Sequence, residues 1–254
     1  MLLVIDVGNT NVVFGIFEGK RLVGEWRVAT HFQKTADEYG ILLLDLLQQQ
    51  AIKAARVKGA ILSSVVPPLT PVLQEMTRKY FLLETMVVTP DLKTGLRIRY
   101  DNPKEVGADR IVNASAAYRL YGGPLIIVDF GTATTFCVIS KEGDYLGGAI
   151  APGLIISAEA LFARASKLPR VELIKPKGVV GRDTVSSIQS GMIFGYVGLV
   201  NEIVHRIYQE IGRDALVVAT GGLSTLIAPE CSTIQKIRPT LTLEGLMFIY
   251  NMNS

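Results

Sequence analysis

The sequence predicts an α/β protein built twice over, and three observations predict it. Residues 4–10 read "VIDVGNT" and residues 127–135 read "IVDFGTATT", the same phrase of apolar run, Asp, apolar residue, Gly and small hydroxylic residues. Each phrase opens a set of three short alternating runs of the kind that pair as a strand meander. Each set is then followed by helix-period segments separated by short buried runs, the pattern of α/β units.

The elements follow in chain order. "LLVIDVG", "VVFGIFEG" and "RLVGEWRVAT" are three strands, with "EGKR" (18–21) as the hairpin turn. Thr35 and Glu38 have capping-box spacing ahead of "YGILLLDLLQQQ", whose broad apolar face predicts a helix. A strand at about 57–65, a helix at about 68–81 opened by "PPLTP", and a strand near 84–89 complete the first half. Residues 94–123 connect the halves and predict a helix from about Gly107 to Leu120, expected in the groove between them. The pattern restarts with "PLIIVDFG", "TTFCVISKEG" and "DYLGGAIAP", turning at "KEGD" (141–144). A helix beginning near Gly153, a long helix from Asp183 to Gly212, the buried strand "ALVVAT" (215–220) and a closing helix in "TLTLEGLMFIYNM" end the chain. The predicted boundary gives units of 1–117 and 118–254.

Bulk properties narrow the function. With 254 residues, 49% of them hydrophobic, there is ample material for two cores. A net charge of +3 without a Lys/Arg-rich run argues against a nucleic-acid surface. Mean hydropathy is +0.34, but it is spread over strand-sized runs and no stretch reaches spanning length, so no membrane partner is expected. The start "MLLVIDVG" enters a strand with no signal-peptide pattern, and Cys137 and Cys231 lack metal spacing, so a reduced cytoplasmic protein is expected.

The repeated phrase suits phosphate chemistry. A tight Gly hairpin presents backbone N–H groups that can surround a phosphate. Asn9, Thr10 and Asn11 add short donors in the first copy, and Thr132 and Thr134 do so in the second. An aspartate at such a loop repels phosphate unless a cation intervenes, which makes Asp6 a candidate Mg²⁺ or Mg²⁺-water partner and gives Asp129 the same chemistry. "VVATGG" (217–222) ends in paired glycines that would allow close approach of a nucleotide. There is no G-x-x-x-x-G-K-[ST] and no G-x-G-x-x-G.

Two D-x-G-x-T hairpins followed by a late Gly-Gly turn resemble the acetate/sugar kinase–Hsp70–actin superfamily. More closely, "DVGNTN" (6–11), "YDNP" (100–103), "GADR" (107–110), "DFGTATT" (129–135) and "GRDT" (181–184) resemble the type III pantothenate kinase family over essentially the whole chain. The resemblance implies duplicated ribonuclease-H-like (actin-like) domains, each a mixed five-stranded sheet with flanking helices, and an active site in the interdomain cleft. It implies ATP-dependent phosphorylation of the 4'-hydroxyl of pantothenate, the first step of coenzyme A synthesis. Asp109 would be the general base, and Tyr100, Gly107, Ala108, Asp109, Arg110 and Thr184 the pantothenate contacts. Asp6, Val7, Gly8, Asn9, Thr10, Asn11, Val12, Val13 and Thr132 would bind the nucleotide with Mg²⁺. Asp129 would hold the monovalent cation, K⁺ or NH₄⁺, that the family requires. Chemically, a carboxylate at Asp109 could accept the proton of an attacking alcohol, with Arg110 favouring its ionised form. The family is homodimeric, and the helix "SIQSGMIFGYVGLVNEIV" with Gly191, Gly195 and Gly198 is a candidate interface, or else a core helix. His31 and His205 read as structural. Alternatives are another small-molecule kinase or phosphatase of the superfamily, or a non-catalytic regulatory relative.

Overall fold

A computed structural model describes residues 1–212 and 214–254. The elements run β1 (Leu2–Val7), β2 (Asn11–Glu18), β3 (Arg21–Ala29), α1 (Ala36–Gln49), β4 (Gly59–Ser64), α2 (Leu69–Phe81) and β5 (Thr85–Val87). They continue with β6 (Arg97–Ile98), α3 (Ala108–Tyr121), β7 (Leu125–Phe130), β8 (Ala133–Ile139), β9 (Asp144–Pro152), α4 (Leu154–Arg164) and α5 (Thr184–Ile211). The last are β10 (Leu216–Thr220), α6 (Ser224–Ile227), β11 (Lys236–Ile237) and α7 (Leu241–Asn253).

The first sheet has the order β3-β2-β1-β4-β5. Its meander is antiparallel, while β4 and β5 add in parallel. The second sheet runs β11-β10-β7-β8-β9-β6. Omitting β6, the second sheet repeats the first strand for strand: β7, β8, β9, β10 and β11 stand where β1, β2, β3, β4 and β5 do. The sixth strand departs from the five expected in each sheet. It exists because Arg97–Ile98 adds in parallel to the outer edge of β9, a two-residue pairing with no periodicity to announce it.

Packing follows the alternation of each strand. Leu3, Ile5, Val7, Phe14 and Ile16 turn to one face and meet Tyr39, Leu43 and Leu47 of α1 and Leu69, Leu73 and Met76 of α2. Helix α1 starts where its side chains dictate: Thr35 accepts from the Glu38 N–H while Glu38 accepts from the Thr35 N–H at 2.8 Å. Such a box stabilises a helix start by about 1 kcal/mol. In the second unit, Ile126, Val128, Phe136, Val217 and Ala219 meet Ile193, Tyr196, Val200 and Val204 of α5.

The chain divides into two compact units, one of Met1–Leu96, Asp101–Ala116 and Leu241–Ser254, the other of Arg97–Tyr100 and Ala117–Thr240. The division passes through α3 between Ala116 and Ala117, beside the expected boundary at 117/118. Two segments fall outside the expected units: Arg97–Tyr100 joins the second, and α7 packs on β1 and β4 of the first, where Leu241, Leu243, Leu246, Met247 and Ile249 are buried. Cys137 and Cys231 are buried and form no disulfide, and burial pushes the Cys231 thiol up to about 12. Among the described residues, no helix is long and apolar enough to cross a membrane.

Candidate functional site

In the first unit the hairpin between β1 and β2 is a closed loop of backbone. The Gly8 N–H donates to the Asn11 carbonyl at 2.9 Å, and a Cβ on Gly8 would press on that same oxygen at 3.2 Å. Thr30, at the end of β3, clamps the loop from outside. Its hydroxyl donates to the Gly8 carbonyl at 2.6 Å and its N–H donates to the Thr10 carbonyl at 3.0 Å. Asn9 and Thr10 are exposed at the tip, and Asp6 is half-buried at its base. Val7, Val12 and Val13 are buried, so only their main-chain groups can face a ligand.

The start of α3 lies at the carboxyl ends of β1 and β4, where open α/β sheets bind ligands. Val65 joins the pieces, because its N–H donates to the Val7 carbonyl at 3.0 Å and its side chain lies 3.8 Å from where a Gly107 Cβ would sit. Gly107 leaves room for the carboxylate: a Cβ there would stand 2.6 Å from Asp109 Oδ1, which would have to shift. That oxygen accepts the Arg110 N–H at 2.8 Å in the first turn of α3. Asp109 keeps a solvent-accessible edge, yet the protein around it disfavours the charged form. Desolvation therefore pushes its carboxyl above the ordinary carboxylate range, against the Arg110 backbone hydrogen bond and the Arg110 charge, which pull it down. Arg110 itself is buried.

The second unit repeats the hairpin. The Gly131 N–H donates to the Ala133 carbonyl at 3.2 Å, and the Gly153 N–H donates to the Thr132 carbonyl at 3.0 Å. Gly153 permits that approach, since a Cβ would collide with the Thr132 carbonyl. Thr132 is exposed at the tip. Thr134 is not available to a phosphate, being buried with its hydroxyl 3.1 Å from that of Tyr196. Tyr196 also donates to the Pro152 carbonyl, so α5 holds both β8 and β9 at the end near the tip. The paired glycines close β10: Gly221 has φ +90° and a Cβ on it would collide with the Asp129 carboxylate. The carbonyl of Gly221 accepts from the Ser224 hydroxyl at 2.7 Å, starting α6.

Tyr100 stands edge-on to Tyr145, with ring centroids 6.3 Å apart, and over Gly147. It is carried by β6, which is clipped to the β8–β9 turn. Arg97 Nε donates to Asp144 Oδ1 at 2.7 Å, its Nη2 to Oδ2 at 3.3 Å, and Arg99 Nε to Oδ1 at 3.2 Å. Thr184 is exposed at the first position of α5, after Asp183 has capped the helix through the Ser186 N–H at 2.8 Å. It borders a cavity of about 590 Å³ shared with Leu161, Leu168, Ser187 and Met192.

The first unit therefore brings together the 6–13 loop and Gly107–Arg110, and the second contains Tyr100, Asp129, Thr132 and Thr184. Thr30, Val65, Asp144 and Tyr196 escaped the sequence reading, because each acts through a partner distant in sequence. A cation fits the chemistry of both aspartates. Among the described residues no three His, Cys, Asp or Glu side chains cluster, so a metal here would rely on one carboxylate, neutral oxygens, water and ligand phosphates. Two such neutral oxygens, the hydroxyls of Ser63 and Thr220, are buried without a hydrogen-bond partner among the described residues.

Comparison with known proteins shows the family and the fold. The sequence profile of the family described as type III pantothenate kinase matches residues 2–206. Type III pantothenate kinase of Geobacter sulfurreducens is 56% identical over 253 residues, covering 100% of this chain and 99% of that relative. Type III pantothenate kinase of Moorella thermoacetica is 55% identical, with 100% of both chains covered. Among solved structures, a Sinorhizobium meliloti protein described as a candidate 2-dehydro-3-deoxygalactonokinase is 13% identical and superposes with a TM-score of 0.58. It covers 99% of this chain and 96% of its own.

Proposed function

The chain belongs to the type III pantothenate kinase family, and we infer from that membership that it phosphorylates pantothenate with ATP, the first step of coenzyme A synthesis. The observation that carries the residue assignment is the head of α3, where Asp109 folds back towards Gly107 and Gly107 lies beside Val65, which is bonded to the end of β1. In this reading the 4'-hydroxyl oxygen of pantothenate attacks the γ-phosphorus, its proton passes to the Asp109 carboxylate, and the bond from γ-phosphorus to the bridging oxygen breaks to release ADP. The raised proton affinity of Asp109 suits a base that must accept a proton near neutral pH. Little other covalent chemistry is needed from the protein, because phosphoryl transfer rests on positioning and charge compensation.

The remaining assignments follow the family motifs. The loop from Asp6 to Val13 and Thr132 hold the nucleotide, with the backbone N–H groups at the tips as donors. Tyr100, Gly107, Ala108, Arg110 and Thr184 contact pantothenate, Arg110 meeting its carboxylate. Mg²⁺ enters with ATP near Asp6, and a monovalent cation, K⁺ or NH₄⁺, is held by Asp129; each supplies positive charge against the triphosphate. In this reading the enzyme works in the cytoplasm, in keeping with the buried Cys137 and Cys231, which form no disulfide.

The protein acts as a homodimer in this reading, through the outer face of α5. One face of that helix is core, but Gly191, Gly195 and Gly198 lie on the other, and a Cβ on any of them would meet nothing within 4 Å. A coupled assay of ADP release with pantothenate, with and without K⁺, tests the activity. Turnover that needs both supports it, and no turnover with pantothenate under any cation condition removes it. Retention of the chain at the elution volume of a monomer would remove the dimer.

A further inference from the structure

We propose that the hydroxyl of Thr220 is a ligand of the monovalent cation, an inference that rests on the reading of Asp129 as the cation's aspartate. In the parallel ladder of β7 and β10, Thr220 is the register partner of Asp129. Paired residues of neighbouring strands leave the sheet on the same face, so the carboxylate and the hydroxyl are neighbours on one surface. Thr220 is 0% exposed and its Oγ1 has no hydrogen-bond partner among the described residues. A hydroxyl carries one donor and two acceptor lone pairs, and leaving it buried and unused is costly.

The residue that follows shows where the carboxylate lies. Gly221 has φ +90°, and its missing Cβ is replaced in space by Asp129 Oδ1. The carboxylate therefore reaches the end of β10, at the residue that follows Thr220. The Gly221 carbonyl accepts from Ser224, whereas the Thr220 hydroxyl beside it has no hydrogen-bond partner among the described residues. One carboxylate with a neutral hydroxyl is a poor site for a bare divalent ion, whose shell is usually built from several carboxylates or waters. It suits a singly charged ion that accepts neutral oxygens in place of water, as K⁺ does in carbonyl-lined sites.

The duplicated fold repeats half of the arrangement. Ser63 is the register partner of Asp6 between β4 and β1, is 0% exposed, and has an equally unpartnered hydroxyl. There, however, the next residue is Ser64, whose hydroxyl takes the Val66 N–H at 3.1 Å, and no glycine makes room for the carboxylate. The space opened by Gly221 distinguishes the second copy, and the cation is assigned to that copy.

Melting of the full chain in the presence of a non-hydrolysable ATP analogue, titrated with KCl at constant ionic strength, reads cation binding without turnover. Thr220→Val, which keeps shape and strand propensity but lacks the hydroxyl, is expected to raise half-saturating K⁺ roughly 10-fold or more, the range seen when a metal site loses an oriented partner. Thr220→Ser is expected to respond as the parent does, and Asp129→Asn to lose the response. A parental response in Thr220→Val with loss in Asp129→Asn overturns the hydroxyl ligand alone. A parental response in Asp129→Asn overturns the site on which it rests. Should the valine variant fail to fold, parental crystals soaked in RbCl decide: an anomalous peak touching both Thr220 Oγ1 and Asp129 supports the proposal, and a peak at Asp129 away from Thr220 sinks it.

Discussion

Asp109 is where chemistry and stability conflict most plainly. Burial raises its carboxyl, which means folding costs more when the group is ionised than when it is neutral. The sign follows: the contribution of Asp109 to stability is fully present below the ordinary carboxylate range and is lost as pH rises through the raised value. Asp109→Asn is therefore expected to lower kcat by about 10²–10⁴-fold, the usual worth of a general base. The same variant should leave pantothenate binding nearly unchanged by calorimetry and melt above the parent at neutral pH. That gain should shrink on acidification, where the parent's carboxyl is also neutral. A variant that keeps its turnover would end the base assignment. The acid limb of the kcat profile should also lie above the ordinary carboxylate range. Gly221 gives a second expectation at this scale. Gly221→Ala forces a left-handed φ and a collision with Asp129, so a loss of about 1 kcal/mol or more is expected in denaturant titration, together with a weaker K⁺ response. The repeated phrase pointed to Asp6 and Asp129 as candidates, and Gly107 and Asp109 became candidates only through the family motif. Thr220 was not legible, because its significance comes from a register with a strand roughly ninety residues earlier.

Short elements do the positioning that long elements cannot. Strand β6 has two residues, yet it brings Tyr100 against Tyr145, and Asp144 reinforces its backbone pairing with β9. Asp144→Asn removes the charge that Arg97 and Arg99 share. Since the arginines are largely exposed, the loss of stability is expected to be small, about 1 kcal/mol or less. KM for pantothenate should rise several-fold while kcat changes little, and Asp144→Glu should restore part of the loss. An unchanged KM would show that Tyr100 does not need the clip or does not touch substrate. The meanders, α1, α2, α4, α5 and β10 were legible because alternation, helical period and caps are local signals. Strands β6 and β11 were not, because two residues hold no period and owe their pairing wholly to the neighbouring strand.

At the scale of the molecule, the duplication itself was the most legible feature, since two phrases of the same pattern begin two sheets of the same strand order. The destination of α7 was hidden, because an apolar helix states that it must be buried but not against which sheet. The outer face of α5 leads to a prediction about assembly. Gly195 has open space around it within the chain, so Gly195→Arg is expected to fold normally and, in exposed surroundings, to gain helix propensity of up to about 1 kcal/mol. If a second copy covers that face, the same variant should sediment as a monomer. A variant that remains dimeric in analytical ultracentrifugation would move the interface elsewhere.

The return of α7 to the first sheet makes the second unit an insertion within the first. Synthesis runs in one direction, so β1 and β4 emerge from the ribosome long before the helix that covers them. While β7 to β11 are being made, the uncovered face of the first sheet carries Val4 and Ile61 without their cover. The unit begun first is thus finished last, and a stalled or truncated chain lacking Leu241–Asn253 would leave a sticky half-built domain for chaperones to shelter or proteases to remove.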